Sequence, residues 1–218
     1  KEGVCNEHIH VIGNTIIDAL YIVKNKWKVG KDNILKNIIP DLNEKNPFIL
    51  ITCHRRESFG IALTEICLLI KKYACLYPEF NWIFTVHPNP NVRNTVIEFL
   101  EGVKNVYLID SQPYELFIHI LSKSHFVLTD SGGIQEESIS FNVPIIVMRN
   151  VTERNEGLKS GYAVLAGNKA KTIEAVLSCW LQDLPKISNP NGHNPYGDGL
   201  ASDRVLFFLQ EKSFEEFK

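Results

Sequence analysis

The sequence predicts an α/β protein built on a doubly wound, Rossmann-like parallel sheet. From about residue 46, short β-rich apolar runs alternate with amphipathic segments at helical spacing, and short turns join them. The strand segments are apolar nearly throughout. Strands of this kind are typical of a parallel sheet that helices cover on both faces.

Each element of this alternation follows from its own pattern. Six apolar runs predict strands at residues 48–52, 81–86, 106–109, 126–129, 144–148 and 162–166. Apolar residues at helical spacing predict the helices that follow them, at residues 61–73, 92–100, 113–121, 132–140 and 170–181.

The two flanks do not follow the alternation. Residues 14–24 form a candidate helix that Asn14 or Thr15 can cap. A Pro-, Gly- and Asn-rich loop at residues 185–199 precedes a final helix from about Ser202, which carries more apolar surface than a free tail should. We therefore expect both flanks to pack on something, such as a partner domain.

Composition limits the function classes. Apolar residues make up 44% and charged residues 22%, as in an ordinary globular protein. A net charge of −2 argues against nucleic-acid binding by phosphate neutralisation. No membrane span or signal peptide is predicted, and five cysteines without metal-ligand spacing favour the cytoplasm. The chain begins at Lys1 and its only methionine is Met148, so we expect part of a longer protein.

Polar, charged or glycine residues follow five of the predicted strands, at residues 53–57, 87–89, 111–113, 130–133 and 149–154. Ligands of open parallel sheets bind beyond the carboxyl ends of the strands. The coincidence of five such segments at one edge therefore predicts a binding site there.

Ser131, Gly132 and Gly133 are the strongest candidates in this site. The glycines allow a ligand to approach the backbone, and the start of the helix behind them suits a phosphate. Glu137, further along that helix, can accept hydrogen bonds from a ribose diol. The alternative is an ordinary helix cap and a tight turn.

The run His54-Arg55-Arg56 is the second element. His54 can act as an acid, a base or a hydrogen-bond donor to a leaving diphosphate, and the two arginines suit phosphate. The alternative for this run is a solvated charged loop. His87 and Arg154 can likewise be surface residues.

Phe117 can form an apolar slot for a nucleobase. Its ordinary role would be to pack in the hydrophobic core. Gln112 beside it can recognise the edge of a base.

The sequence lacks a phosphate loop of the GxxxxGK[ST] type, a GxGxxG after the first strand, a GxSxG elbow, HExxH and a CxxC pair. This argues against a P-loop ATPase, a Rossmann dehydrogenase, such a serine hydrolase and a zinc enzyme.

Six segments in this order resemble bacterial UDP-N-acetylglucosamine 2-epimerase, and they extend over nearly all of the chain: residues 13–20, 53–60, 86–92, 129–137, 152–154 and 194–199. Two positions depart from the family pattern. Ser58 stands where the family favours Asn, and Asn155 stands where it favours Pro.

The resemblance implies the second domain of a GT-B-type fold, in which two Rossmann-like domains flank a cleft. Residues 1–45 are then an interdomain crossing segment, residues 46–182 the UDP-binding domain, and residues 183–218 a loop and helix returning toward an N-terminal domain. That domain would carry the acid/base carboxylates. The resemblance also implies a homodimer.

The reaction that the resemblance implies is the interconversion of UDP-GlcNAc and UDP-ManNAc. UDP is eliminated to leave a 2-acetamidoglucal and is then added back, with neither nicotinamide nor metal. We expect the isolated chain to bind UDP weakly and to turn nothing over. Two alternatives remain: a hydrolysing epimerase that releases ManNAc and UDP, and a non-catalytic nucleotide-sugar sensor.

The resemblance also implies roles for individual residues. His54 would lie at the diphosphate and Arg154 would complete the ligand shell. Gln112 and Phe117 would hold the uracil, and Glu137 would bind the ribose. The phosphates would lie at Ser131, Gly132 and Gly133. Arg55 and His87 match residues that bind a second UDP-GlcNAc as an activator.

Overall fold

Six parallel strands form one sheet in a computed structural model, which describes residues 3–27, 34–187 and 193–217. The strands are β1 (Phe48–Thr52), β2 (Asn81–Val86), β3 (Val106–Asp110), β4 (Phe126–Thr129), β5 (Ile145–Val147) and β6 (Ala163–Leu165). Their order is β3-β2-β1-β4-β5-β6, so the chain starts in the middle, builds outward to one edge and then to the other. The predicted doubly wound sheet is confirmed.

The register places the polar ends of the two central strands side by side. Along the β1–β4 pair, Ile51 lies opposite Leu128 and Thr52 lies opposite Thr129. Every residue of β1, β2 and β4 is buried. Such strands are mostly apolar because helices exclude water from both faces, which is why the sequence pattern located them.

Helices cover the two faces of the sheet and extend beyond it: α1 (Thr15–Lys26), α2 (Ile34–Ile38), α3 (Ile61–Leu76), α4 (Pro90–Leu100), α5 (Tyr114–Lys123), α6 (Gly132–Glu137), α7 (Asn155–Lys159), α8 (Ala170–Trp180) and α9 (Ala201–Leu209). The short helices α2 and α7 were not predicted, because neither contains enough turns to show a period. The helix predicted over residues 132–140 stops at Glu137 and continues as the 3-10 helix Ser138–Phe141.

Alternate residues of each strand enter two separate cores, as the two-residue repeat of a strand requires. Ile51 and Phe84 pack on one face beneath α3, α4 and α8. Leu50 and Ile83 pack on the other face beneath α1, α5 and α6. Of the two cysteines on α3, Cys67 is buried in the first of these cores and Cys75 is exposed.

The N-terminal flank packs on the C-terminal one. Asn14 caps α1 by accepting the N–H of Ile16 at 3.0 Å, which identifies the cap among the two candidates. The Asp18 carboxylate accepts the N–H groups of Ala201 and Ser202, at 3.2 and 2.6 Å. It thereby caps α9 across a gap of 183 residues.

The outer face of α9 stays exposed, with apolar side chains at Val205, Leu206, Phe207, Phe208 and Leu209. Residues 188–192 of the predicted loop at 185–199 lie outside the described part of the chain. Among the described helices, none is long and apolar enough to cross a bilayer.

Candidate functional site

The candidate site lies at the carboxyl end of the sheet, where the strand order reverses between β1 and β4. The hydroxyls of Thr52 and Thr129 lie 2.6 Å apart there, and both residues are buried. The N–H of Ser131 donates to the Thr129 hydroxyl at 3.0 Å. These bonds connect the ends of the two strands and set the turn that leads into α6. Crevices of this kind are where open α/β sheets bind ligands.

Asp130 joins the loop after β1 to the turn after β4. Its side chain is 0% exposed. The carboxylate accepts the N–H groups of His54 and Arg55, at 3.0 and 2.8 Å to Oδ2, and the Ser58 hydroxyl at 3.2 Å. Burial, followed by the charge of Asp130, raises the pKa of the Cys53 thiol well above its usual range. A buried carboxylate with several donors is a strong organiser of two loops.

Sequence reasoning did not single out Asp130. Its signal was available, because an acid directly after a buried strand must find partners in the protein. What the sequence could not show is that those partners are the backbone N–H groups of His54 and Arg55. They lie in the loop after β1, and His54 is 76 residues away along the chain.

The two glycines at the start of α6 leave room for two neighbouring side chains. A Cβ on Gly132 would lie 3.1 Å from Cζ of Arg154, and a Cβ on Gly133 would lie 3.2 Å from Cδ1 of Ile16. Ser131 is the N-cap residue, but its side chain makes no cap hydrogen bond. The hydroxyl is therefore not used for capping, contrary to the simpler of the two interpretations of this turn.

Arg154 lies against Gly132 and pairs with a buried acid. Its Nε donates to Oε1 of Glu136 at 2.8 Å, and Glu136 is only 5% exposed. Nδ2 of Asn14 donates to the other oxygen of Glu136 at 2.7 Å. Glu136 thus joins the N-terminal flank, α6 and the loop after β5. The positive charge of Arg154 is held beside the glycine turn.

A cavity of about 140 Å³ brings together four of the predicted residues, which lie far apart in sequence: His54, His87, Gln112 and Phe117. The His54 and His87 rings are nearly parallel, with centroids 5.7 Å apart and planes 20° apart. Nδ1 of His87 accepts the N–H of Asn89 at 3.1 Å. Gln112 uses its amide nitrogen on the carbonyl of Asp110, at 2.8 Å, which leaves its oxygen as an acceptor.

Glu137 is more enclosed than the sequence suggested. It is 4% exposed, and the Tyr114 hydroxyl donates to its Oε1 at 2.8 Å. Burial raises the pKa of Glu137 to about 7, the Tyr114 hydrogen bond opposes that rise, and the charge of Glu136 adds to it. Tyr114 was not among the predicted site residues.

The arginines near His54 differ in their contacts. Nε of Arg55 donates to the backbone carbonyl of Asp130 at 3.1 Å, so this side chain is partly engaged. Arg56 is exposed on a 3-10 helix. Arg149, after β5, is buried, and it pairs with Glu57 and Glu153 at 3.2 and 3.3 Å.

A larger cavity, of about 510 Å³, lies at the opposite end of the sheet and is lined by residues such as Leu35, Leu42 and Phe48. We place the candidate site at the smaller cavity, because residues that follow β1, β2 and β3 line it at the carboxyl end of the sheet. Within the described residues, three or more His, Cys, Asp or Glu side chains nowhere cluster in a way that could hold a metal ion.

Comparison with known proteins identifies the family of this chain. The family model described as UDP-N-acetylglucosamine 2-epimerase matches residues 1–210. UDP-N-acetylglucosamine 2-epimerase of Campylobacter jejuni is 40% identical over 215 residues, which cover 96% of this chain and 56% of the relative. The Escherichia coli K12 enzyme is 39% identical over 214 residues, which cover 57% of that enzyme. The chain therefore spans little more than half the length of these relatives.

Two solved structures share the fold. UDP-GlcNAc 2-epimerase from Neisseria meningitidis, bound to UDP-GlcNAc, superimposes with a TM-score of 0.88 at 36% identity, over 97% of this chain and 57% of that one. Staphylococcus aureus MnaA with UDP gives a TM-score of 0.87 at 32% identity, over 100% of this chain and 60% of that one. This chain belongs to the UDP-N-acetylglucosamine 2-epimerase family.

Proposed function

We propose that this chain is the nucleotide-binding part of a UDP-N-acetylglucosamine 2-epimerase that interconverts UDP-GlcNAc and UDP-ManNAc. The observation that carries the proposal is the cavity that His54, Gln112 and Phe117 line at the switch point of the sheet. The ligands named for the Neisseria and Staphylococcus structures, UDP-GlcNAc and UDP, agree with it.

The nucleoside occupies the cavity between β2, β3 and α5. Phe117 offers an aromatic face to the uracil, and the free amide oxygen of Gln112 accepts a hydrogen bond from the base edge. Glu137 accepts a hydrogen bond from the ribose. An ADP base presents a different pattern of donors and acceptors, so this arrangement selects uracil.

The diphosphate lies on the turn Ser131-Gly132-Gly133. The Ser131 hydroxyl, which makes no cap bond, donates to a phosphate oxygen, and the glycines let the oxygens reach the backbone. Arg154, held beside Gly132 by Glu136, completes the ligand shell with its positive charge. The protein therefore needs no net positive charge to bind the diphosphate, because one guanidinium lies beside the proposed phosphate site.

The reaction proceeds by elimination and addition. A base removes the proton at C2, the electrons of that bond form the C1–C2 double bond, and UDP leaves with the electron pair of the C1–O bond. The glucal then receives a proton on the opposite face of C2, and the UDP oxygen forms the C1–O bond again. The oxidation level is unchanged at the end, so no hydride carrier is required.

His54 serves the departing diphosphate in this scheme. Its backbone N–H is held by Asp130, so the ring projects from a fixed point beside the turn that binds phosphate. A hydrogen bond from the imidazole to the leaving group stabilises the charge that develops on UDP. The carboxylates that act at C2 belong to an N-terminal domain.

The proposed organisation follows the boundaries predicted from the sequence. Residues 1–45 cross between two domains of a GT-B-type fold, residues 46–182 bind the nucleotide, and residues 183–218 return to the N-terminal domain. The exposed apolar face of α9 supports this, because such a surface suits a domain interface. We further propose a cytoplasmic homodimer, and an activator site for a second UDP-GlcNAc at Arg55 and His87.

Calorimetric titration of the chain with UDP, UDP-GlcNAc and ADP tests the binding role. We expect the chain to bind the two uridine nucleotides and to respond far more weakly to ADP. Ser131→Ala combined with Gly132→Val should abolish UDP binding while leaving the fold intact. Unchanged affinity in that variant, or an equal response to ADP, contradicts the assigned site.

The catalytic role is tested on the full-length protein with UDP-GlcNAc as substrate. We expect UDP-ManNAc as the product, and no turnover by the isolated 218-residue chain. Free ManNAc with UDP would instead indicate the hydrolysing reaction. Binding without any conversion would indicate a nucleotide-sugar sensor.

A further inference from the structure

Tyr114 joins the helix that carries Phe117 to the carboxylate of Glu137. It is the first residue of α5 and is 40% exposed. Phe117 lies three residues further along the same helix, so the two rings share one side of it. Gln112 directly precedes this helix.

The Tyr114 hydroxyl reaches the carboxylate proposed for the ribose. It donates to Oε1 of Glu137 at 2.8 Å, and Glu137 itself is buried. Within the described part of the chain, this is the one hydrogen bond made to the Glu137 side chain. Oε2 therefore keeps its acceptor capacity for a ligand.

A carboxylate with one oxygen held in this way has a defined direction. A free glutamate side chain samples several rotamers, and ordering it on binding costs free energy. A hydrogen bond formed before the ligand arrives removes part of that cost.

We propose that Tyr114 is a specificity-determining residue of the nucleoside site. Its hydroxyl holds Oε1 of Glu137, so that Oε2 accepts a hydrogen bond from a ribose hydroxyl, and this makes the site prefer ribonucleotides over deoxyribonucleotides. The inference rests on the proposed function, because it requires that Glu137 faces the ribose of a bound uridine nucleotide.

The protonation of Glu137 agrees with this role. Burial raises the pKa of its carboxyl to about 7, while the Tyr114 hydrogen bond opposes the rise. Without that hydroxyl the carboxyl would protonate more readily, and one of its two oxygens would then carry a proton. Tyr114 thus favours the ionised form of Glu137, in which both oxygens accept hydrogen bonds.

Tyr114→Phe tests the proposal, since it removes the hydroxyl and keeps the ring beside Phe117. The measurement is the dissociation constant of the chain for UDP, 2′-deoxy-UDP and 3′-deoxy-UDP by calorimetry. Because a hydrogen bond to a charged group is worth about tenfold or more in affinity, the wild type should prefer UDP over at least one deoxynucleotide by about tenfold. In Tyr114→Phe that preference should fall to about threefold or less, with deoxynucleotide affinity within twofold of the wild type.

Tyr107→Phe is the matched control. In the wild type the Tyr107 hydroxyl donates to the carbonyl of Asp41 at 3.3 Å, away from the cavity. Removing it should leave the preference for UDP unchanged. Thermal unfolding midpoints of both variants establish that the fold is retained.

An unchanged preference in Tyr114→Phe, or an equal loss for all three nucleotides, would overturn the role of Tyr114. A wild type that binds UDP without preferring it to either deoxynucleotide would overturn this inference and leave the proposed function standing. A wild type that does not bind UDP would remove the proposed function and this inference with it.

Discussion

The Asp130 carboxylate accepts the backbone N–H of His54, with Oδ2 at 3.0 Å, and so joins the end of β4 to the loop that follows β1. The contact lies at the switch point of the sheet, next to the Thr52–Thr129 hydroxyl pair. It means that the position of His54 depends on an acid in the glycine turn. The two strongest motifs in the sequence therefore form one structural unit.

Asp130→Ala should lower the free energy of unfolding by about 3 kcal/mol, because it leaves the partly buried N–H groups of His54 and Arg55 without the Asp130 acceptor. Urea unfolding followed by circular dichroism measures this. Asp183→Ala, at an exposed position after α8, is the control and should change stability by less than about 0.5 kcal/mol. Similar losses in the two variants would show that Asp130 does not organise the site.

Gly199→Ala should be more destabilising than Gly102→Ala. Both glycines have positive φ, +85° and +79°. A Cβ on Gly102 meets nothing within 4 Å, so only the backbone cost of about 1 kcal/mol is expected. A Cβ on Gly199 would overlap Cδ2 of Tyr21, and the total should reach about 3 kcal/mol or more. Equal destabilisation in chemical unfolding would mean that α1 does not pack on this turn.

Glu137→Gln should change how stability depends on pH. Burial raises the pKa of Glu137 from 4.5 to about 7, so the folded protein binds more protons than the unfolded chain between these values. Glu137 therefore contributes to the free energy of unfolding at low pH, and this contribution is lost as the pH rises through about 7.

Unfolding free energies from about pH 4 to pH 8 measure this effect. Between these two pH values, the free energy of unfolding of Glu137→Gln should rise by about 3 kcal/mol relative to that of the wild type, since a pKa unit corresponds to about 1.4 kcal/mol. A difference that stays constant with pH would show that the Glu137 carboxyl is not perturbed in the folded protein.

Arg154→Ala should weaken UDP binding by about tenfold or more, because a charge-assisted contact to the diphosphate is lost. Arg93→Ala is the control, since Arg93 pairs with Asp110 at an exposed position. Calorimetric titration should show no more than a twofold change in that control. If Arg154→Ala bound UDP as tightly as the wild type, Arg154 would only neutralise Glu136 and Glu153, with which it forms ion pairs.

Asp18→Ala should release the start of α9, because the carboxylate accepts the N–H groups of Ala201 and Ser202. We expect a loss of about 1–2 kcal/mol in stability and faster amide hydrogen exchange across α9. Asp203→Ala, at an exposed position in the first turn of that helix, should leave exchange nearly unchanged. Protected α9 amides in Asp18→Ala would contradict the capping role.

The strands were predictable because the burial of both faces leaves a continuous apolar run, as in β1 and β4. The longer helices were predictable because they show their period over several turns, as in α3 and α8. The end of α6 was not, because Asn142 adopts the left-handed conformation that closes the following 3-10 helix, and no periodic signal marks it. Helices α2 and α7 escaped detection because they are short.

The predicted site was found in parts. His54, His87, Gln112 and Phe117 each follow a predicted strand or lie on the next helix, and the parallel topology brings them to one cavity. Tyr114 was missed because a tyrosine at the start of a helix has no distinctive pattern. The contact of Arg154 with Gly132 was missed because it depends on how the loop after β5 folds back.

By itself, then, the sequence determined the order of the elements and the edge of the sheet at which polar residues collect. Both follow from local hydrophobic pattern and from the geometry of parallel strands. Only the tertiary structure decided that Asp130 holds His54, that Glu136 pairs with Arg154, and that Tyr114 reaches Glu137. Those pairs join residues from different elements, and a buried carboxylate takes whatever donor the packing of helices and strands brings within reach.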